Sequence, residues 1–287
     1  MKTTYNLVCL AFIGILYFSS CRQSTDSFLQ EKPEPETLQS YLEFLRQDKK
    51  GMFTFASTGS LSGEKEEQAQ VMEGHFSDKG RYFKGGKVKF GNHVLEPILN
   101  SFNNYTYDLG GGGTYGRNGR HAARDVFGTT ISIELQVPVV SAVARVEGTK
   151  EVAGSLYIPK EIEGLAPVYN EKDSGTFILQ EGFRIKWNED AQNLKGILIY
   201  LEYDPGFGTN NFTHKKNFPE TVRKIINTKD VAEGYVFKNS DLAEMPNGSM
   251  VDLRITRGNY VVLKDGENNY DVLALTTRND HFMVKVK

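Results

Sequence analysis

Cysteine is nearly missing from this 287-residue chain, which has only Cys9 and Cys21. Two thiols cannot build the disulfide framework that staples small secreted domains, so the fold must rest on its hydrophobic core. An excess of one charge is missing too: 34 Lys and Arg against 36 Asp and Glu leave a formal charge of −2. The two signs are interspersed, so the concentrated basic surface of a nucleic-acid binder is absent, and nucleic acid is excluded as a partner. Catalytic signatures are lacking as well. There is no G-x-S-x-G elbow and no H-E-x-x-H zinc helix, and the five histidines, His75, His93, His121, His214 and His281, form no close pair at metal-ligand spacing. No motif assigns a metal, a cofactor or a catalytic residue. Long apolar runs are confined to one place, the start of the chain.

That run is Leu7 to Phe18, LVCLAFIGILYF, preceded by Lys2 and followed by Ser19 and Ser20. A positive end, a short apolar core and small residues before a cut make a secretory signal over residues 1–20. A stable membrane-spanning helix needs roughly 20 apolar residues, so the run is too short to remain as one. Ser19-Ser20-Cys21 resembles the processing box of bacterial lipoproteins. The resemblance implies that Cys21 is acylated, becomes the mature N-terminus and anchors the protein to a membrane of the cell envelope, the outer membrane being the expected one. Residues 21–36 carry few apolar side chains and a Pro-Glu repeat, so they read as a disordered, extended tether.

Helix-period sequence is scarce beyond this point. Leu38, Tyr41, Leu42 and Leu45 recur at helical spacing after Thr37, a capping residue type, which predicts a short helix within 37–50. From Gly51 onward the period changes to two. ISIELQV (131–137), FRIKWN (183–188), VDLRIT (251–256) and FMVKVK (282–287) each put apolar residues on one face and polar ones on the other. Such alternation marks half-buried antiparallel strands. ILIYLEY (197–203) is apolar on both faces and reads as a central strand. Gly85-Gly86, Asn118-Gly119 and Asn247-Gly248 carry turn chemistry, the first of them suggesting a hairpin between RYFK and KVKF. The expected fold is all-β: a β-sandwich over 51–158, a linker over 159–173 rich in turn formers, and a second sandwich over 174–287. WNEDAQNLKGILIYLEYD, PNGSMVDLRITRGNY and DGENNYDVLALTT together resemble the C-terminal module of uncharacterised Bacteroidetes-type lipoproteins. That resemblance implies an immunoglobulin-like sandwich and carries no activity.

Two loops stand out as candidate ligand sites. LGGGGTYGRNGRHAARD (109–125) contains a formal G-x-G-x-x-G, but the sequence after its glycines, RNGRHAARD and then a strand, has no amphipathic helix pattern to hold a pyrophosphate, which argues against a dinucleotide. The same loop gathers Arg117, Arg120, His121 and Arg124, which could clamp an anion. YDPGFGTNNFTHKKNF (203–218) offers Phe207, Asn210, Asn211 and Phe212. Rings can stack on sugar faces and amides can bond hydroxyls. DGENNYD (265–271) has the alternating acids of a calcium loop without its glycine and bidentate acid, and reads as a hairpin turn. The functional expectation is an anchored, non-catalytic binding protein of the envelope, serving adhesion, glycan capture or envelope assembly. A glycan hydrolase using two carboxylates remains an alternative, because such a pair need not be close in sequence. A purely structural subunit of a surface complex is the other.

Overall fold

The computed structural model describes residues 37–44, 49–60, 69–99, 104–108, 124–141, 143–166, 177–207 and 212–286. The signal, Cys21 and the tether lie outside them. The chain divides into two compact units, Met1–Asp48 and Lys49–Lys287. In the first, α1 (Leu38–Phe44) starts where the sequence placed it. Thr37 caps it: the Ser40 N–H donates to Thr37 Oγ1 at 3.1 Å, and the Tyr41 N–H donates to Thr37 O at 3.0 Å.

The second unit is almost entirely strand. In chain order it holds β1 (Gly51–Ser60), β2 (Ala69–Asp78), β3 (Arg81–Phe83), β4 (Val88–Phe90), β5 (His93–Leu95), β6 (Pro97–Leu99), β7 (Tyr105–Asp108), β8 (Thr129–Val140) and β9 (Val146–Ile158). There follow β10 (Gly164–Ala166), β11 (Ile178–Gln180), β12 (Arg184–Trp187), β13 (Ile197–Tyr203), α2 (Phe212–Asn217), β14 (Val222–Thr228), β15 (Tyr235–Val236), α3 (Asn239–Leu242), β16 (Met250–Asp265) and β17 (Asn268–Lys285). The all-β expectation holds.

One ten-stranded sheet organises the unit, with the order β14-β13-β16-β17-β1-β2-β7-β6 and with β11 and β3 attached to β17 and β2. Its spine is the hairpin β16–β17, turned through Gly266 at φ 61°. The 265–271 segment is thus the hairpin turn its sequence suggested. Purely antiparallel pairing does not hold. β1 and β11 both run parallel to β17. Alternation reports which face is buried and says nothing of strand direction, and the long separation of β1 from β17 leaves room for either.

Two smaller sheets lie over the same face. The four-stranded sheet β5-β4-β8-β9 encloses a first hydrophobic cluster with β1, β2, β7 and the turn-side half of the hairpin. Phe53 sits at its centre, edge-on to Phe76, Phe90 and Tyr107 at centroid distances of 5.1–5.8 Å. The three-stranded sheet β10-β12-β15 encloses a second cluster around Trp187, Tyr203, Phe237 and Phe282. Ile162, within the expected 159–173 linker, is a buried member of the second cluster, and β16 and β17 supply side chains to both clusters: Leu263, Tyr270 and Val272 to the first, Leu253, Ile255 and Phe282 to the second.

Gly85-Gly86 is not a hairpin. β3 pairs with β2 and β4 pairs with β5 and β8, so these glycines lie where the chain crosses between sheets. A Cβ at Gly85 would stand 2.4 Å from Phe76 Cε2, and one at Gly86 would stand 2.2 Å from Gln136 Oε1. Close approach, rather than a positive φ, requires glycine here.

Between the clusters the shared face turns polar. Arg257 of β16, 0 % exposed, forks onto Asp230 through Nε–Oδ2 at 2.6 Å and Nη2–Oδ1 at 2.9 Å. It also donates to Lys160 O at 3.0 Å and to Asn188 O. Arg278 of β17 donates to Ile162 O and Ser60 O, both at 2.7 Å. Glu161 accepts from Ser57 and Gln70, each at 2.7 Å. Segment 160–163 is thereby laced across the sheet by paired charges and hydrogen bonds, the condition under which buried charge persists, while Arg257 Nε and Gln70 Oε1 make no hydrogen bond of their own.

Candidate functional site

The opposite face of the same sheet carries a second set of charged side chains, mostly buried at its middle and exposed at Arg223 and His281. Cross-strand register aligns Arg223 (β14), Glu202 (β13), Asp252 (β16) and His281 (β17) in one line. The next line places Tyr200 beside Arg254. Arg223 Nε donates to Glu202 Oε1 at 2.9 Å, and Arg254 Nε donates to Asp252 Oδ2 at 2.5 Å. Arg254 Nη2 also reaches Glu202 Oε2 at 3.5 Å. Its guanidinium lies over the Tyr200 ring, 5.4 Å from the centroid. Burial, with the Glu202 charge behind it, pushes the Tyr200 phenol up to about 12, so it keeps its proton at neutral pH.

Phe207 joins this row from the turn after β13. Asp-Pro-Gly-Phe is turn chemistry, with Pro presetting φ. The Gly206 N–H donates to Asp204 Oδ1 at 2.7 Å and the Phe207 N–H to Asp204 O at 3.0 Å. The ring is 39 % exposed and lies against the His281 imidazole, with centroids 4.6 Å apart. Beside it, Asp252 Oδ1 and His281 Nδ1 face each other at 3.9 Å. That is too long for a direct hydrogen bond, and neither atom has another partner. An exposed ring face, two carboxylates, two guanidiniums, a phenol and an imidazole can together stack on and hydrogen-bond a polyhydroxylated molecule.

Of the residues expected in this region, Phe207 lies at the row. Asn210 and Asn211 fall outside the described residues. Phe212 opens α2, so the expected loop 203–218 contains a short helix; the Phe212 side chain is not among those described. Phe218, itself exposed, packs edge-on to Tyr203 of the second cluster. Sequence reading missed Glu202, Asp252, Arg254 and His281. Only the register of strands far apart in the chain brings them together.

The glycine-rich loop leads elsewhere. Arg117, Arg120 and His121 lie outside the described residues, and Arg124 begins a single 3-10 turn, Arg124–Val126, its side chain undescribed. The next residue, Asp125, bonds His93 Nε2 at 3.0 Å in a cleft of about 290 Å³ lined also by Asn92, Thr129, Thr130 and Ser132. Among the described residues, no group of three His, Cys, Asp or Glu is placed to hold a metal.

A third feature is a carboxylate pair. Glu73 (β2) stands directly opposite Asp108 (β7). Partial removal from water first, and the Asp108 charge second, raise the Glu73 carboxyl above the ordinary range, although the residue keeps an exposed surface. His75, two residues on, stacks flat on Tyr82 at 4.2 Å, and burial lowers its imidazole to about 4.

No known protein family matches the chain, and no curated protein matches it. The site therefore stands on its own geometry.

Proposed function

We propose that this chain is a lipid-anchored lipoprotein of the bacterial cell envelope, held in the outer membrane by acylation at Cys21, which works by binding a glycan at the Phe207–His281–Asp252 row. The observation that carries the binding reading is the exposed Phe207 ring beside two inward polar atoms that lack partners. Sugars present apolar ring faces and dense hydroxyls, and these fit aromatic stacking and charged hydrogen-bond partners respectively. Two immunoglobulin-like sandwiches, divided at 159–173, belong to the same reading and draw support from the two separate hydrophobic clusters. Passing the purified protein over immobilised polysaccharides tests it. Retention with no oligosaccharide released is the expected result, and loss of retention in Phe207→Ala assigns it to this row. Anchoring is tested separately, by finding an acylated N-terminal Cys21 peptide in the membrane fraction and its loss in Cys21→Ser.

A second reading, the two-carboxylate hydrolase, draws on Glu73 and Asp108. Directly opposed strand residues hold their Cβ atoms about 5 Å apart on one face of the sheet, which puts two carboxyls side by side as a hydrolase pair requires. A raised carboxyl is what a general acid needs. Release of oligosaccharide by the wild type but not by Glu73→Gln would replace the binding reading with this one.

A further inference from the structure

The β8–β9 hairpin outruns the body. Val137 is the last β8 residue inside the first cluster. Beyond it Val139, Val143 and Val146 are 44 %, 79 % and 37 % exposed. On β9 all six residues from Val146 to Glu151 are exposed. The tip closes on itself: the Ser141 N–H donates to Arg145 O and the Ala144 N–H to Ser141 O, both at 2.9 Å. Between Pro138 and Val146 the single charged residue is Arg145. A projecting ribbon tipped with valine has an unfavourable surface in water and a favourable one against hydrocarbon.

The direction of the ribbon decides between occupants. Lys150 of β9 bonds Asp265 at the β16–β17 turn. The chain enters the unit at that same turn, where the Lys50 N–H donates to Asn269 O at 3.0 Å and Gly51 pairs with Tyr270. The unit Lys49–Lys287 therefore begins at the end at which the valines project. His281 lies at the opposite end, 13 residues (281 − 268) along β17 from Asn268, roughly 40 Å at the usual strand rise.

We propose that the valine tip of β8–β9 dips into the lipid surface that carries the Cys21 anchor, standing the β unit end-on with the Phe207 row held away from the membrane. The inference rests on the anchor reading above. Insertion stays shallow, about 5–10 Å, because the free edges of a two-stranded ribbon cannot enter hydrocarbon with their backbone groups unpaired. Arg145 can extend back to lipid phosphate while its stem stays apolar.

Tryptophan placed at the tip tests this in the full acylated chain on phosphatidylethanolamine–phosphatidylglycerol vesicles. The natural Trp187 is fully buried and gives a constant background. Val143→Trp should emit further to the blue and be quenched by brominated lipid. Ile225→Trp, on the exposed strand β14 beside the candidate row, should not. Val143→Asp in the Cys21→Ser chain should lower vesicle binding about tenfold, the loss of roughly one buried valine. Quenching at neither position in a vesicle-bound chain overturns the proposal, and quenching at both overturns the end-on orientation. A concentration-dependent dimer abolished by Val143→Asp, without quenching, overturns it in favour of a second copy. Should Cys21 carry no acyl group, the anchor reading falls separately. The same Val143→Trp measurement on the unacylated chain with excess vesicles then decides the hairpin.

Discussion

Arg254 and Arg257 lie three residues apart on β16 and face opposite sides of the sheet. Arg257 is sealed between the two clusters, where Asp230, Lys160 O and Asn188 O take up its donors. Arg254 lies among Asp252, Glu202 and the Tyr200 ring, with His281 Nδ1 and Asp252 Oδ1 left unpaired beside it. The two share guanidinium–carboxylate chemistry and differ in closure. Atoms without a hydrogen bond occur on both sides, Arg257 Nε on one and Asp252 Oδ1 and His281 Nδ1 on the other; what sets the outer row apart is that its atoms lie beside the exposed Phe207, where a ligand can dock.

The contrast is broken most severely at the sealed side. Asp230→Ala leaves Arg257 buried without its carboxylate and should cost about 3–5 kcal/mol, read by urea denaturation. Replacing both, Arg257→Met with Asp230→Leu, should recover only part of that loss: no charge is orphaned, but Trp187 Nε1 and Asn193 Nδ2 lose their acceptor on Asp230. Next comes His75, on the outer face of β2. Its imidazole is neutral when folded, with a pKa near 4 against the ordinary 6.5. The unfolded chain therefore binds the extra proton between these values, and stability falls as pH drops from 6.5 toward 4, by up to about 3 kcal/mol. His75→Phe should flatten that slope in denaturation midpoints followed across the range. On the open side, Phe207→Ala should leave the unfolding free energy within about 1 kcal/mol of wild type while glycan retention drops tenfold or more. Smallest of all is Arg223→Ala, whose exposed pair with Glu202 should shift stability by no more than about 0.5 kcal/mol.

Strand content was readable because alternation survives wherever one face is buried: Ile131, Ile133, Leu135 and Val137 all enter the first cluster. ILIYLEY is β13 to the residue. Direction and partnership were not readable, since β1 reaches β17 across about two hundred residues of chain and only packing selects that pairing. Gly85-Gly86 misled for a related reason: a glycine pair marks a tight place in the backbone without saying whether a turn or a close approach creates it. Of the candidate site, Phe207 could be found from the Asp-Pro-Gly turn that presents it. Arg254 and Arg257 could not be told apart, because two arginines in one alternating strand differ only in which side the neighbouring elements cover.

The most direct measurement is the equilibrium affinity for a retained glycan of wild type, Phe207→Ala and Asp252→Asn, taken with each protein's melting temperature. The account predicts that both variants lose affinity tenfold or more while melting with the wild type. Unchanged affinity, or a loss that appears only as the melting temperature falls, would contradict it and return the outer row to a merely structural part of the sheet.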